Sequence, residues 1–338
     1  QLTNRLDPSM SIMQGINAKI RKNPKRVIFA EGEDENMLKA AIEFGRNKLG
    51  TPILIGAENR VKEQLKKIGL DENYKIEIVN STDKEKREKY VKHLYKKLQR
   101  EGQLERDVDR LIRNDRIAWG SSMIACKDAD AMVTGNIRHY AASIEKLKKV
   151  VEARPGEEIF GMTMIISKGK TILVADTNVT ELPSAERLVN ISKSCVRIAR
   201  LFGFEPKVAF LSHSTFGKPL SRNTRHVREA IEKLKKEKVD FDFDGEMQPD
   251  VALNPIYQEI YPFSKIVGNA NVLIMPALHS AAISTKLMKV FGGGKNIGPL
   301  LIGLGQPIEV APLRASTSEI LNLASIAAYS SDVIDYSN

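Results

Sequence analysis

Short apolar runs alternate with charged stretches of helical spacing through the first third of the chain. VIFA at 27–30, ILIG at 53–56 and IEIV at 76–79 each lie beside such a stretch. Runs of this length match parallel strands buried on both faces. KRVIFAEGEDENMLKAAIEF reads as strand, turn and helix, with Glu31, Glu33 and Asp34 placing negative charge where the helix dipole favours it. The repeated order strand–helix–strand specifies an α/β fold with a mainly parallel sheet.

Composition narrows the class. The 338 residues suffice for two domains, and 42% hydrophobic with 28% charged residues fits a globular core. No apolar run reaches membrane-spanning length, and the N-terminal stretch lacks a secretory pattern. Cys126 and Cys195 sit in helix-like segments without metal-ligand spacing, so the expected setting is a reducing cytoplasm. The net charge of +10 arises in lysine-rich helical stretches such as EKLKKEK, interspersed with acids. No nucleic-acid module accompanies them, and neither a nucleic-acid nor a membrane partner is expected.

Further along, AMVTG is a strand, and Arg154-Pro155-Gly156 punctuates the chain as a domain boundary. MTMIISKGKTILVAD has the pattern of a hairpin turning at Lys168–Lys170. A helix opened by Pro183 follows, with the stripe Leu188, Ile191, Cys195 and Ile198. KVAFLS, FDFDGEM, NVLIMP and PLLIG read as further strands. GQPIEVAPLRASTSEI, at 305–320, then reads as a loop between the strand PLLIG and a last helix, unusually apolar through Val310 to Leu313.

Several clusters carry possible chemistry. GGGK at 292–295 lacks the Ser or Thr of a phosphate loop, and GLG at 303–305 lacks the third glycine of a dinucleotide fingerprint. Ser212, His213, Ser214, Thr215, Phe216 and Gly217 follow a strand, where such groups hold an anion; the alternative is a surface loop whose hydroxyls satisfy one another. Asp244, Glu246 and Asp250 form either an oxygen cluster for a cation or a turn with a helix start; no metal is expected. His139 and His279 follow strands and face either a cleft or the packing around it, whereas His93 and His226 read as exposed helix positions.

These pieces together resemble the phosphotransacetylase family: RVIFAEGEDENMLKAA, DADAMVTGNIRH, ARPG, ADTNV, KVAFLSHSTFG, DGEMQPDVAL, NVLIMP and NIGPLLIG follow in family order. LSHSTFG and DGEMQPDVAL further resemble a subset, the phosphotransacetylase-like C-terminal domains of large bacterial NADP-dependent malic enzymes. The resemblance implies two three-layer α/β/α domains with a cleft between them, of isocitrate/isopropylmalate dehydrogenase-like architecture. It implies a connector over 1–18, a first domain of 19–155 plus 296–338, and a second of 156–295 carrying the cleft and dimer contact. Gln1 in place of Met fits a domain preceded by malic enzyme domains, to which NADP and a divalent metal would bind. No cofactor is expected in this chain itself.

The resemblance also supplies a function and its apparent loss. Family members move an acetyl group between phosphate and coenzyme A, using a Ser-Arg pair and a downstream acid in the last strand-to-helix loop. Here the pair falls on Pro312 and Leu313 and the acid on Glu319; Arg314 stands one position late. Arg314 and Glu319 are thus vestigial catalytic candidates. The implied function is an acetyl-CoA-binding regulatory domain; the alternatives are an active phosphate acetyltransferase or a structural oligomerisation module. The expected acyl-CoA ligands are residues 212–217, Asp244, Glu246, Met275 and Arg314.

Overall fold

In the computed structural model, residues 8–70, 75–167, 169–176, 179–219 and 222–336 are described. The chain divides into two compact units. One, the terminal unit, comprises the described residues of 13–155 and 304–336; the other, the central unit, comprises those of 156–303 together with 8–12.

In chain order, the terminal unit carries α1 (Pro8–Lys22, whose first turn groups with the central unit), β1 (Lys25–Phe29), α2 (Glu35–Arg46), β2 (Gly50–Ile55), α3 (Glu58–Lys67) and β3 (Glu77–Val79). It continues with α4 (Lys84–Leu98), α5 (Glu105–Asn114), α6 (Arg116–Ala125), β4 (Ala131–Gly135) and α7 (Tyr140–Val150). The central unit has β5 (Phe160–Ser167), β6 (Lys170–Ala175), α8 (Ala185–Leu201), β7 (Lys207–Leu211) and α9 (Arg225–Glu237). It ends with β8 (Asp242–Met247), α10 (Pro249–Leu253), β9 (Val272–Ile274), α11 (Leu278–Phe291) and β10 (Lys295–Ile302). β11 (Ile308–Ala311) and α12 (Thr317–Val333) complete the terminal unit.

The terminal sheet has five parallel strands in the order β11-β4-β1-β2-β3. Every residue of β4 is buried, so both faces of the sheet centre are covered. α2 and α12 pack on each other and α12 on β4; α6 and α7 also pack on each other and reach β4. The central sheet is mixed, in the order β10-β5-β6-β9-β7-β8, with β10, β5 and β6 antiparallel and the rest parallel.

Three expectations change. The apolar stretch at Val310 and Ala311 is not loop: it is strand β11, paired with Thr134 and Gly135 of β4 and wholly buried. The boundary expected at residue 296 lies at 303/304, because β10 pairs antiparallel with β5 from Lys295 to Ile302. The described part of the N-terminal connector, from Pro8, is a helix running on to Lys22, with Met13, Ile16 and Ile20 buried and the Lys19 ammonium donating to the Tyr329 hydroxyl at 2.8 Å. The α8 cap is Ser184, with Pro183 preceding it. The hairpin of β5 and β6 has the expected pairing, although Lys168 at its turn lies outside the described residues.

Strand order reverses between β1 and β4, the position where open α/β sheets leave a crevice. Glu31 fills it. Its side chain is wholly buried and accepts from the Thr134 hydroxyl and the Gly135 N–H, both at 3.0 Å. Gly135 has a φ of 110°, and a Cβ there would stand 2.3 Å from the Ala311 carbonyl, so the crossing admits only glycine. Burial raises the Glu31 carboxyl from its ordinary 4.5 to about 7, against the lowering pull of Thr134, Arg138, Arg116 and the Gly135 N–H.

Between those pH values the folded state holds a proton that the unfolded chain has released. The stabilisation is therefore complete below about pH 4.5 and is lost as pH rises through about 7. It is on the order of 3 kcal/mol. Glu31→Gln removes the charge, so its melting temperature relative to wild type is expected to rise between pH 5 and pH 8. Parallel melting curves across that range would show that Glu31 does not titrate with folding.

Candidate functional site

The loop after β7 is folded around one carboxylate. Glu246, near the end of β8, is 1% exposed. Its Oε1 accepts from the Ser214 hydroxyl at 2.9 Å, the Gly217 N–H at 3.1 Å and the Arg228 guanidinium at 3.3 Å. Its backbone carbonyl accepts from the Phe216 N–H at 2.7 Å. Ser214 and Ser212 hydroxyl oxygens lie 3.0 Å apart. Backbone bonds between Thr215 and Lys218 close the turn, with Gly217 at a φ of 85°. Gln248 donates to the His213 carbonyl at 2.7 Å and, from its backbone, to the Thr215 hydroxyl at 3.2 Å. The Phe216 ring meets Phe263 edge-on at 4.8 Å and Tyr261 at 5.3 Å.

This loop forms one wall of a cavity of about 680 Å³, within the usual range of small-molecule sites. Ser212, His213 and Met275 line it, as does His279. So do Arg222, to which sequence reasoning assigned no role, and His226, which reads from sequence as an exposed helix position. His226 is not a solvent-facing helix residue: it is half-buried at the start of α9, and its Nε2 lies 2.9 Å from the Pro276 carbonyl. The signal was available in the order loop, RNTRHVREA, since a helix opening after a strand-end loop points its first turn at that strand end. Among the described residues no carboxylate lines the cavity, so its polar wall suits an anion.

The other expected ligands divide. Ser214 and Glu246 are spent on each other. Asp244 is buried and accepts from the Gly245 and Lys265 N–H groups at 2.9 and 2.8 Å. Asp250 accepts from the Val251 N–H. Glu246 therefore supports the loop from behind, Asp244 ties Lys265 to β8, and neither lines the cavity. Among the described residues no group of three or more metal-ligating side chains converges.

Arg314 belongs to the terminal unit. It has a φ of 59°, its N–H donates to the Asn136 carbonyl at 3.0 Å, and its side chain is exposed. Leu313 beside it is 44% exposed. Glu319 is occupied: its Oε2 accepts from the Ser316 N–H and hydroxyl, both at 2.9 Å, while Ser316 accepts from the Glu319 N–H. This is a capping box for α12. His139 is exposed at the start of α7, and His93 is exposed on α4. Cys195 is buried, with its thiol pushed up by desolvation, and Cys126 ends α6 half-buried.

Comparison with known proteins gives concordant matches. The family model Phosphate acetyl/butaryl transferase matches residues 11–328. An NADP-dependent malic enzyme of Rhizobium meliloti is 43% identical over 97% of this chain, which spans only 43% of that protein's length. A phosphate acetyltransferase of Clostridium acetobutylicum is 30% identical over 94% of this chain and 97% of its own. The crystal structure of a phosphotransacetylase from Streptococcus pyogenes superposes with a TM-score of 0.85 at 29% identity, covering 95% of this chain and 98% of that one.

Removing the carboxylate at 246 leaves a hydroxyl, an N–H and a guanidinium without their acceptor. Glu246→Ala is expected to cost about 3 kcal/mol in denaturant unfolding. His213→Ala, at an exposed position of the same loop, should stay within about 0.5 kcal/mol. Equal costs would show that Glu246 does not organise the loop.

Proposed function

The chain belongs to the Phosphate acetyl/butaryl transferase family, and from that premise we propose that it is the acetyl-CoA-sensing part of an NADP-dependent malic enzyme. The similarity to malic enzymes over nearly the whole chain supports that parent. On this reading the upstream domains bind NADP and a divalent metal and convert malate to pyruvate in the cytoplasm. Each unit of this chain is a three-layer domain of the isocitrate dehydrogenase-like kind.

The observation that carries the loss of acetyl transfer is the β11–α12 loop. Transfer needs a base for the thiol, a guanidinium fork for the phosphoryl group and a donor for the oxyanion. Pro312 has no N–H, Leu313 presents an alkyl group, and Glu319 is held in the capping box. Removing one preorganised donor costs about 10²–10³ in rate, and here more than one function is gone.

The central cavity supports ligand binding without turnover. His213, His279 and Arg222 provide donors for phosphate oxygens, and Met275 and Leu182 provide apolar wall for an acyl-pantetheine arm. A ligand that binds one arrangement of the assembly better than another shifts its population, and so inhibits at a distance.

The reading includes a dimer through the central unit. α11 exposes Ile283, Leu287, Val290 and Phe291 at 59, 52, 75 and 82%, a continuous apolar stripe at helical spacing. A second copy of the chain covers it on this reading.

A second reading keeps catalysis, with the exposed Arg314 gripping phosphate. Mixing the chain with acetyl phosphate and coenzyme A and following thiol loss separates the two. No turnover above background is expected, together with saturable acetyl-CoA binding by calorimetry that weakens about tenfold in His213→Ala. Turnover abolished by Arg314→Ala would establish the second reading instead. For the dimer, Val290→Glu is expected to convert the chain to a monomer in light scattering; an unchanged mass would place the interface elsewhere.

A further inference from the structure

A second cavity, of about 300 Å³, opens at the carboxyl ends of β2 and β3 in the terminal unit. This edge is where open α/β sheets receive ligands. The cavity shares no residue with the central one and plays no part in the acyl-CoA reading.

Its floor is apolar and flat-sided: Ile55, Ile112 and Trp119. Trp119 is 1% exposed, and its indole N–H is buried without a hydrogen-bond acceptor among the described residues. The ring is held in place. Tyr90 packs edge-on against it at 5.0 Å, and the Tyr90 hydroxyl is anchored by donating to Asp128 at 2.8 Å.

The rim is made of donors. Asn80 accepts from the Thr82 N–H and hydroxyl through Oδ1, which leaves its amide NH₂ as the group it offers. Arg113 and Arg116 stand at the mouth, each held from one side by a carboxylate. Arg113 is paired with Asp109 at 2.5 Å and Arg116 with Glu33 at 3.0 Å, and Glu33 is itself fixed by the Ala57 N–H at 2.9 Å. A guanidinium has five N–H donors, so one such pair orients it without exhausting it. The only carboxylate among the described lining residues, Asp115, is already used: it accepts from the Ile117 and Ala118 N–H groups and from the Lys146 ammonium.

We propose that this cavity binds a purine nucleoside monophosphate. A flat heteroaromatic ring covers the apolar floor, and the phosphate meets Arg113 and Arg116. The volume admits one mononucleotide and excludes a dinucleotide or a whole acyl-CoA. Free phosphate satisfies the arginines but leaves the floor bare; a nucleoside does the reverse. Recognition needs both ends at once.

Trp119 is the sole tryptophan of the chain, so its emission reports on this cavity alone. Titrating the full chain with AMP is expected to give a saturating change in that emission and one site per chain by calorimetry. Adenosine and inorganic phosphate should each bind about tenfold more weakly or worse. Arg113→Gln, a change at an exposed side chain, should weaken AMP about fivefold or more while leaving acetyl-CoA affinity unchanged. Failure of millimolar AMP to saturate overturns the proposal. So does phosphate binding as tightly as AMP with no change in emission, which marks an adventitious anion. Competition between acetyl-CoA and AMP with the same dependence on Arg113 also overturns it, because the cavity would then belong to the acyl-CoA site. If acetyl-CoA fails to bind anywhere while AMP binds here, the sensor reading falls and this one stands.

Discussion

Parallel pairing governs this molecule. A parallel strand cannot turn directly into its neighbour; the chain must leave the carboxyl edge, cross over and return. Each crossover deposits a loop at that edge, where backbone polar groups have lost their strand partners. Both units meet the problem with a buried acid. Glu31 accepts a hydroxyl and a glycine N–H from the end of β4, and Glu246 accepts a hydroxyl and a glycine N–H from the loop after β7. The two differ in company. Glu246 has the Arg228 guanidinium at 3.3 Å, whereas Glu31 has only neutral donors in contact, with Arg116 and Arg138 acting at longer range. The same covalent group thus ties one loop as half of an ion pair and closes another crevice as an acid that titrates near neutrality.

Much of the fold is legible in local pattern. The short apolar runs became strands, VIFA and ILIG the inner β1 and β2 and IEIV the edge strand β3, and the stripe Leu188, Ile191, Cys195 and Ile198 became the buried face of α8. Failures occur where a distant partner decides. IEVA is four residues with no room to show alternation, and only pairing with β4 makes it a strand. β10 looked like the start of the return to the terminal unit because nothing local reveals its pairing with β5.

The candidate site was legible as an address and illegible as a set of contacts. Residues 212–217 do stand at the carboxyl end of β7, as strand-end position implied. Which acids face a ligand and which turn inward is not encoded in spacing: Asp244 and Glu246 are two apart on one strand, and both are taken up by backbone N–H groups or side chains of other segments. His226 was hidden for the opposite reason. It lies in a run of charged residues, RHVRE, and the carbonyl of Pro276 draws it inward. Glu319 was read as the family's downstream acid by resemblance, although Ser316 three residues earlier already spelled a helix start.

The terminal unit is assembled from residues on both sides of the central one. β11 supplies the edge partner of β4, and α12 packs against β1, β4 and β11; both come from residues 304–338. The central sheet, by contrast, is drawn entirely from 156–303. During synthesis the central sheet therefore has all its strands before the terminal sheet does. The earlier part of the terminal unit waits on the ribosome with one flank of β4 and the face meant for α12 uncovered, through the time needed to make more than half of the remaining chain. Long-range closure of this kind is slow and leaves apolar surface open to wrong partners. Chain order thus makes the last helix a gatekeeper of folding yield, a role separate from anything it contributes to binding.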